Sequence, residues 1–293
     1  MNITSLSGYY GAKYNMAEDI IQLIPKHEIY LEPCLGGGSI LLSHPRSPVE
    51  IGNDLDPNIA NIYSILVDRG KGKELMNKLF QLQYNETVFK QTKRLYKNCL
   101  KRYSDISCAV FTYIMLSQSF NAAQKSFSKD RYHNDEAYQR HIRATIPDVY
   151  ERLEGVKMYN MDALNLLRAF ADNPEVFVFL DPPYRQELRG KNAKKVYKCE
   201  MPDMIQRRML RLLQGIKCKV LLCGYRSEIG LDLYDNYLIP YGWKCYKLKD
   251  VPKYSQNKDE KDIGHEFVWC NYELPNGIHL QEMKVPSYMW NIR

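Results

Sequence analysis

The sequence predicts an α/β fold: a Rossmann-like, doubly wound sheet of mainly parallel strands, interrupted by a mainly helical, basic insertion. Segments with strand character alternate with segments of helical periodicity in the first 66 residues and again after residue 150. Residues 176–180 are five consecutive apolar residues, which is typical of a strand buried on both faces of a parallel sheet. Residues 67–149 show helical patterns and polar loops instead, which indicates an inserted domain.

The chain of 293 residues is long enough for one large domain and a smaller one. We predict a discontinuous main domain over residues 1–66 and 150–275, an inserted helical domain over 67–149 and a C-terminal tail over 276–293. No apolar run approaches the ~18 residues of a membrane span, and no signal-peptide pattern is present. We therefore expect a cytoplasmic protein with no membrane partner.

The first half is expected to begin with a helix over 14–24, a strand over 27–32, the start of a helix over 39–44 and a strand over 50–54. Asn15 is the expected N-cap of the first helix, with Glu18 at its third position. A further helix is expected to begin at Asp56 and Pro57, because Asp is a favourable N-cap and Pro is preorganised for the first helical position.

The insertion is expected to contain helices over 88–101, 107–119 and 135–153. Beyond residue 155, strands are expected over 157–160, 176–180, 220–224, 243–248 and 266–272, with helices over 164–171 and 202–215. Helices between successive strands supply the crossover connections that a parallel sheet requires.

Positive charge is concentrated in two regions of the chain. Residues 66–148 contain 15 Lys or Arg and 8 Asp or Glu, an excess that equals the net +7 of the whole chain. Residues 185–199 contain six basic residues and one acid, Glu187. A solvated surface is the common reason for such runs, but a basic cluster beside a candidate active site favours a polyanionic substrate.

The eight cysteines form no Cys-x-x-Cys pair. Four of them lie in apolar, strand-like runs: Cys218, Cys223, Cys245 and Cys270. We interpret them as reduced core residues and expect neither a disulfide framework nor a metal site.

The strongest functional motif is Asp181-Pro182-Pro183-Tyr184, which directly follows the apolar run 176–180. In open α/β sheets, ligands bind just beyond the carboxyl ends of the strands. The motif brings an anion, two rigid backbone carbonyls and an aromatic ring to that place. These groups match a planar amino group on a heterocycle, which needs acceptors for its hydrogens and a flat surface for its ring. A strand that merely stops at an Asp-Pro turn is the alternative.

A glycine-rich turn, Gly36-Gly37-Gly38, lies between the first predicted strand and the next helix. It matches neither a P-loop nor the G-x-G-x-x-G dinucleotide fingerprint. Asp54 follows Gly36 by 18 residues at the end of the next strand, where an acid binds ribose hydroxyls in Rossmann-type sites. Asp56 competes for that role, but capping is its expected function. These features favour a cofactor that contains a nucleoside. Asp162 is either an acceptor for an adenine amino group or an N-cap.

These segments occur in the order seen in the Dam-type DNA adenine-N6 methyltransferases of bacteria and phages, which the chain resembles. The segments are Gly11-Ala12-Lys13-Tyr14, Glu32-Pro33-Cys34-Leu35-Gly36-Gly37-Gly38-Ser39, Asn53-Asp54, Asp162 and Asp181-Pro182-Pro183-Tyr184. The segment 264–272 is similar to that family's last strand, and the resemblance covers roughly residues 8–68 and 155–273. It implies the fold of S-adenosylmethionine-dependent methyltransferases, S-adenosylmethionine as cofactor and double-stranded DNA as partner. It also implies that the main domain is the catalytic, cofactor-binding domain and that the basic insertion over 67–149 is the target-recognition domain.

The resemblance also implies roles for individual residues. It assigns Lys13 to the carboxylate of the cofactor, residues 32–39 to its methionine portion, Asp54 to its ribose and Asp162 to its adenine. Without the family, the alternative for Lys13 is an exposed lysine before a helix. The residues expected to bind the cofactor are Tyr9, Lys13, Glu32, Pro33, Gly36, Gly38, Ser39, Asp54, Asp162, Ala163 and Asp181.

Catalysis is expected from Asp181, Pro182 and Tyr184. The Asp181 carboxylate and the Pro182 carbonyl would accept the two hydrogens of the adenine amino group, while Tyr184 stacks on the base after it leaves the duplex. Two alternatives that would use the same methyl-transfer chemistry remain open: a cytosine-N4 methyltransferase and an RNA methyltransferase. A third is a nucleic-acid-binding relative that has lost catalysis.

Dam-type enzymes that read GATC share an Asn-Gly-x-x-Arg-Tyr-Asn stretch followed by a Phe-Asn-Val-Pro-Phe-Gly hairpin. The corresponding segment here, residues 119–128, keeps the first Asn as Asn121 but lacks the Gly, the Arg and the hairpin. The resemblance therefore implies a target sequence other than GATC. The residues expected to contact DNA are Asn121, Gln124, Lys125, Arg131, Arg185, Lys194 and Lys195.

Overall fold

The computed structural model describes residues 5–189, 197–227, 232–252 and 263–284. The chain divides into two compact units, the first formed by residues 1–17 and 35–162 and the second by residues 18–34 and 163–293. These two units are not the main and inserted domains that the sequence pattern predicts, and the boundaries at 66 and 150 stay a prediction.

The described ranges contain eight strands and ten α-helices. The strands are β1 (Ile29–Glu32), β2 (Val49–Asn53), β3 (Lys157–Tyr159), β4 (Val176–Leu180), β5 (Lys219–Tyr225), β6 (Lys244–Pro252), β7 (Ile263–Cys270) and β8 (Gln281–Glu282). The α-helices are α1 (Ala17–Ile21), α2 (Ser39–Ser43), α3 (Pro57–Val67), α4 (Arg69–Leu79), α5 (Glu86–Tyr96), α6 (Asp105–Ser117), α7 (Asp135–Arg152), α8 (Ala163–Phe170), α9 (Asp203–Leu213) and α10 (Leu233–Leu238). The alternation of strands and helices confirms the predicted α/β class.

In the first unit, β2 and β3 are parallel neighbours, with Asn53 opposite Tyr159 at their carboxyl ends. The helix after β2 begins as predicted. The Asp56 side chain accepts a hydrogen bond from the Asn58 backbone N–H at 3.0 Å, and Pro57 is the first helical residue. The expected capping role of Asp56 is therefore confirmed.

The helices of this part of the chain differ from the prediction in two places. The helix expected over 88–101 ends at Tyr96, because Asn98 adopts a left-handed conformation (φ +62°) that Asn tolerates better than most residues. Helix α4 was not predicted. Its segment contains two glycines, yet a Cβ on Gly72 would lie 2.5 Å from the Tyr150 ring. Gly72 therefore permits the close approach of α4 to α7.

A buried ion pair connects the end of α7 to β2 within the first unit. The Arg152 guanidinium donates to both carboxylate oxygens of Glu50 at 2.7 Å and to the Leu41 carbonyl at 2.6 Å. The side chains of Arg152 and Glu50 are 8% and 3% exposed. Burial raises the pKa of Glu50, but hydrogen bonds from His44 and Arg152 and the charge of Arg152 lower it to about 2.

In the second unit the strand order is β1-β4-β5-β7-β6-β8. Strands β1, β4 and β5 are parallel, and β7, β6 and β8 continue the sheet with antiparallel pairs. Every residue of β4 is at most 1% exposed, which confirms the predicted strand buried on both faces. The four cysteines of the apolar runs are buried, as expected.

Local geometry corrects the expected first helix. Residues 14–16 form a 3-10 turn that begins after Lys13, so Asn15 is not an N-cap. The α-helix that follows ends at Ile21, and Pro25 disfavours a helical conformation of the residue before it.

In the second unit, α10 and β8 were not predicted, because both are too short to show a periodic pattern. Among the described residues, no helix has the length and apolar character that a membrane span requires.

Candidate active site

The Asp181–Tyr184 motif directly follows β4 in the second unit, and its tyrosine is held on two sides. Tyr184 is 8% exposed, and its hydroxyl donates to Glu266 Oε2 at 2.7 Å. Its ring contacts the Tyr225 ring edge-on, with centroids 4.7 Å apart. Burial, and then the nearby carboxylates of Asp181 and Glu266, raise the pKa of Tyr184 well above its usual range. The phenol is therefore protonated, and its ring has one defined orientation.

A second buried side chain supports the same turn. Gln206, on α9, is fully buried, and its Nε2 donates to the Pro183 carbonyl at 2.8 Å. The Tyr234 hydroxyl donates to Gln206 Oε1 at 2.6 Å and fixes the orientation of the amide. The Pro183 carbonyl thus accepts a structural hydrogen bond that holds the turn in place. Asp181, by contrast, is partly exposed, as a residue that contacts a substrate must be.

The glycine turn in the first unit is built so that only glycine fits. Gly36 and Gly38 have φ values of +50° and +63°. A Cβ on Gly36 would lie 2.8 Å from the Tyr9 ring, and one on Gly38 would lie 2.7 Å from the Tyr63 hydroxyl. Gly38 precedes α2, whose first residue is Ser39. The Ser39 Oγ is buried and has no hydrogen-bond partner within the described part of the chain.

Asp54 connects this turn to the end of β2. Its Oδ2 accepts from the Gly36 N–H and its Oδ1 from the Asp56 N–H, both at 2.8 Å. Asp54 is 9% exposed. A carboxylate at this strand end is the residue type that accepts hydrogen bonds from ribose hydroxyls in Rossmann-type sites. The role of Asp54 in shaping the turn is additional to the expected ribose contact.

Two asparagines bring the region of Asp162 to the same edge as Asp54. Asn53 exchanges two hydrogen bonds with the Met161 backbone, each at 3.0 Å. Asn160 Nδ2 donates to the Asp54 carbonyl at 2.7 Å. Asp162 itself is exposed to solvent. The sequence motif Asn53-Asp54 does not reveal this role of Asn53, because its partner is 108 residues away in the chain.

Lys13 and Glu32 are buried charged residues, each within its own unit. Lys13 is 5% exposed, and its Nζ donates to the Gly11 carbonyl at 3.1 Å. This burial excludes the alternative of an exposed lysine. Glu32 is 2% exposed and accepts a hydrogen bond from the Tyr30 hydroxyl at 2.8 Å. Ala163, the first residue of α8, is buried as well.

Three of the expected DNA contacts lie near the tip of a narrow loop in the first unit. Ser119 and Phe127 form an antiparallel bridge at its base. Asn121 and Gln124 have φ values of +50° and +58°, and Asn121 and Lys125 are exposed. Left-handed conformations at non-glycine residues are uncommon and often occur at functional sites. Contact of this loop with DNA stays a prediction.

Arg131 and Arg185, the two arginines expected to contact DNA, form intramolecular hydrogen bonds or ion pairs. Arg131 donates to the Leu116 carbonyl at 3.1 Å. The Arg185 side chain is 11% exposed and forms ion pairs with Asp232, at 3.4 Å, and with Glu187. Lys194 and Lys195 lie outside the described residues. No cluster of His, Cys, Asp or Glu suited to a metal ion occurs in the ranges that the structure describes.

Comparison with known families matches residues 9–248 to the D12 class N6 adenine-specific DNA methyltransferase family. The chain belongs to this family. The matched range includes the glycine turn, the acids Asp54 and Asp162 that follow β2 and β3, the basic insertion and the Asp181–Tyr184 motif. No curated protein matches the chain. Family membership supports methylation of adenine N6 in DNA over the cytosine-N4 and RNA alternatives, and it implies DNA as substrate and a methyl donor.

Proposed function

We propose that this methyltransferase transfers a methyl group from S-adenosylmethionine to the N6 amino group of an adenine that has left the DNA duplex, at a sequence other than GATC. The observation that carries the proposal is the Asp181–Tyr184 turn at the end of β4, with its ring fixed by Tyr225 and Glu266. The turn combines a partly exposed aspartate with a fixed aromatic ring, as the chemistry of a planar amino group requires.

The residues of the first unit fit S-adenosylmethionine as cofactor. The tight glycine turn leads directly into α2, and the buried Ser39 Oγ at the start of that helix has no hydrogen-bond partner among the described residues. The buried ammonium group of Lys13 suits a carboxylate, and Asp54 suits ribose hydroxyls. Asp162 would accept from the adenine amino group. When bound, this cofactor supplies a methyl group on a positively charged sulfur.

Asp181 has the main catalytic role in this proposal. The lone pair of the adenine amino group is delocalised into the purine ring, so this nitrogen is a weak nucleophile. Hydrogen bonds from its two hydrogens to the Asp181 carboxylate and the Pro182 carbonyl localise the lone pair on nitrogen. As the nitrogen forms its bond to the methyl carbon, the bond from that carbon to sulfur would break, and the sulfur would leave as a neutral thioether. Positive charge would develop on the nitrogen until one of its two protons is released, and the carboxylate stabilises that charge more in the transition state than in the ground state. Tyr184 supplies the surface on which the base stacks.

The reaction is tested by transfer of a labelled methyl group to unmethylated double-stranded DNA, followed by digestion to nucleosides. We expect all label in N6-methyladenine. Label in N4-methylcytosine, or transfer to RNA but not to DNA, would contradict the assignment. Absence of transfer by a folded protein that binds S-adenosylmethionine would favour the relative that has lost catalysis.

Asp54→Ala is expected to weaken S-adenosylmethionine binding by about 1–3 kcal/mol. The change removes the proposed ribose acceptor and leaves the Gly36 and Asp56 N–H groups without the partner that shapes the turn. Isothermal titration calorimetry with S-adenosylmethionine measures the effect. Asp56→Ala is the matched control: it should lose the N-cap, about 1 kcal/mol of stability, and keep cofactor affinity. The reverse pattern would mean that Asp56 binds the ribose.

Methylated adenines are expected at a site other than GATC in DNA from cells that express the enzyme. The loop 119–128 lacks the Gly, the Arg and the hairpin of the GATC-reading enzymes. Each good bidentate contact to a base contributes about 1–3 kcal/mol of discrimination, so loss of that set removes the preference. Gln124, Lys125 and Arg131 are the proposed base readers. Single-molecule sequencing identifies the site, with Asp181→Ala as background control; modification confined to GATC would contradict the proposal.

A further inference from the structure

Glu266 is a buried carboxylate that contacts the Tyr184 hydroxyl without belonging to the Asp181–Tyr184 motif. It lies on β7 directly opposite Tyr225 of β5, in the antiparallel register of these strands. The Tyr184 ring contacts the Tyr225 ring, and its hydroxyl contacts the Glu266 carboxylate. Two residues that face each other across one strand pair thus determine the ring's position and the direction of its hydroxyl.

The neighbouring strand is irregular at the same level. Strand β6 pairs with β7 in regular register up to Lys247, opposite Phe267, and then shifts so that Lys249 is opposite Glu266. The extra residue is Leu248. Such bulges change the direction of side chains and occur frequently next to active sites. The irregularity lies next to the one residue of β7 that contacts the Tyr184 hydroxyl among the described residues.

A carboxylate at this position has an energetic cost that packing alone does not explain. Glu266 is 5% exposed, and burial of a charged group is unfavourable unless hydrogen bonds compensate it. A leucine would fill the space without that cost. What the carboxylate adds is a short, charge-assisted hydrogen bond that restricts rotation of the phenol ring.

We propose that Glu266 is a positioning residue for methyl transfer, because it holds the Tyr184 ring in the orientation that stacks on the target adenine. This inference rests on the proposed function, in which Tyr184 is the stacking residue. In this proposal Glu266 acts on the base through Tyr184, so its effect on methyl transfer should vanish when the Tyr184 hydroxyl is absent.

The test is a double-mutant cycle measured by single-turnover methyl transfer. The substrate is an oligonucleotide that contains the target site identified by single-molecule sequencing. Glu266→Leu should lower the single-turnover rate constant about 10- to 100-fold, the range expected for a hydrogen bond to a charged group. Glu266→Gln keeps an oxygen acceptor of the same reach and should retain most of the wild-type rate. Tyr184→Phe keeps the ring and removes its hydroxyl, and in this background Glu266→Leu should have no further effect.

Controls separate positioning from a general structural role. Affinity for S-adenosylmethionine should be unchanged in all variants. Glu273→Leu removes an exposed glutamate just beyond β7 and should leave the rate unchanged. If Glu266→Leu is as fast as the wild type, or if its effect and that of Tyr184→Phe are additive, the inference is overturned while the proposed function stands. If the wild-type enzyme transfers no methyl group to DNA adenine, the proposed function fails, and the inference fails with it.

Discussion

Asp181→Ala is expected to lower the turnover number for methyl transfer by about 10²- to 10³-fold, the usual effect of removing one group that stabilises transition-state charge. Asp181 directly follows β4 and is partly exposed, so we expect its truncation to disturb the core little. Tyr184 keeps its own contacts with Glu266 and Tyr225, because none of them involves Asp181.

The control for Asp181→Ala is cofactor affinity, which should stay within a modest factor of the wild-type value. A stronger control is Asp181→Asn, which keeps the shape and one acceptor oxygen but loses the negative charge. If charge stabilisation is the main contribution, this variant should also lose most of its turnover. A folded Asp181→Ala variant with a tenth or more of wild-type turnover would contradict the assigned role.

Arg152→Ala is expected to lower the free energy of unfolding by about 3–5 kcal/mol. The change leaves the buried Glu50 carboxylate without the two hydrogen bonds and the charge that compensate its burial. It also removes the donor to the Leu41 carbonyl. Urea unfolding of the full chain measures the effect. Lys78→Ala removes an exposed ion pair with Glu74 and should cost about 0.5 kcal/mol or less. Equal effects of the two changes would contradict the argument.

The same ion pair predicts a dependence of stability on pH. The pKa of Glu50 is about 2 in the folded protein, below its usual value of 4.5, so the folded state favours the ionised form. This contribution is present above pH about 5 and is lost as the pH falls toward 2. Arg152→Ala should reduce the fall in stability across that range, and an unchanged slope would mean that Glu50 does not contribute to it.

Local signals in the sequence identified much of the fold and part of the site. Strand β4 was predicted with its observed bounds, because an apolar run that ends at two prolines is defined by its own residues. The start of α3 was predicted for the same reason, since an N-cap and the residues it caps are neighbours in the chain. The short α10 and β8 contain too few residues to show a periodic hydrophobic pattern. Helix α4 was missed because its glycines disfavour a helix in the sequence, whereas in the structure Gly72 allows it to pack closely against Tyr150.

In the candidate site, too, features defined by neighbouring residues were predictable from the sequence, and contacts between distant residues were not. The sequence by itself determined the α/β class, and its short motifs carried the resemblance to the adenine methyltransferases that the family match confirmed, because motifs depend on residue types at short spacings. Only the tertiary structure decided which side chains support them. Glu266 is 82 residues from Tyr184, and Asn53 is 108 residues from Met161. Strand register brings such partners within hydrogen-bond distance, and no local pattern in the sequence records a register set by residues so far apart.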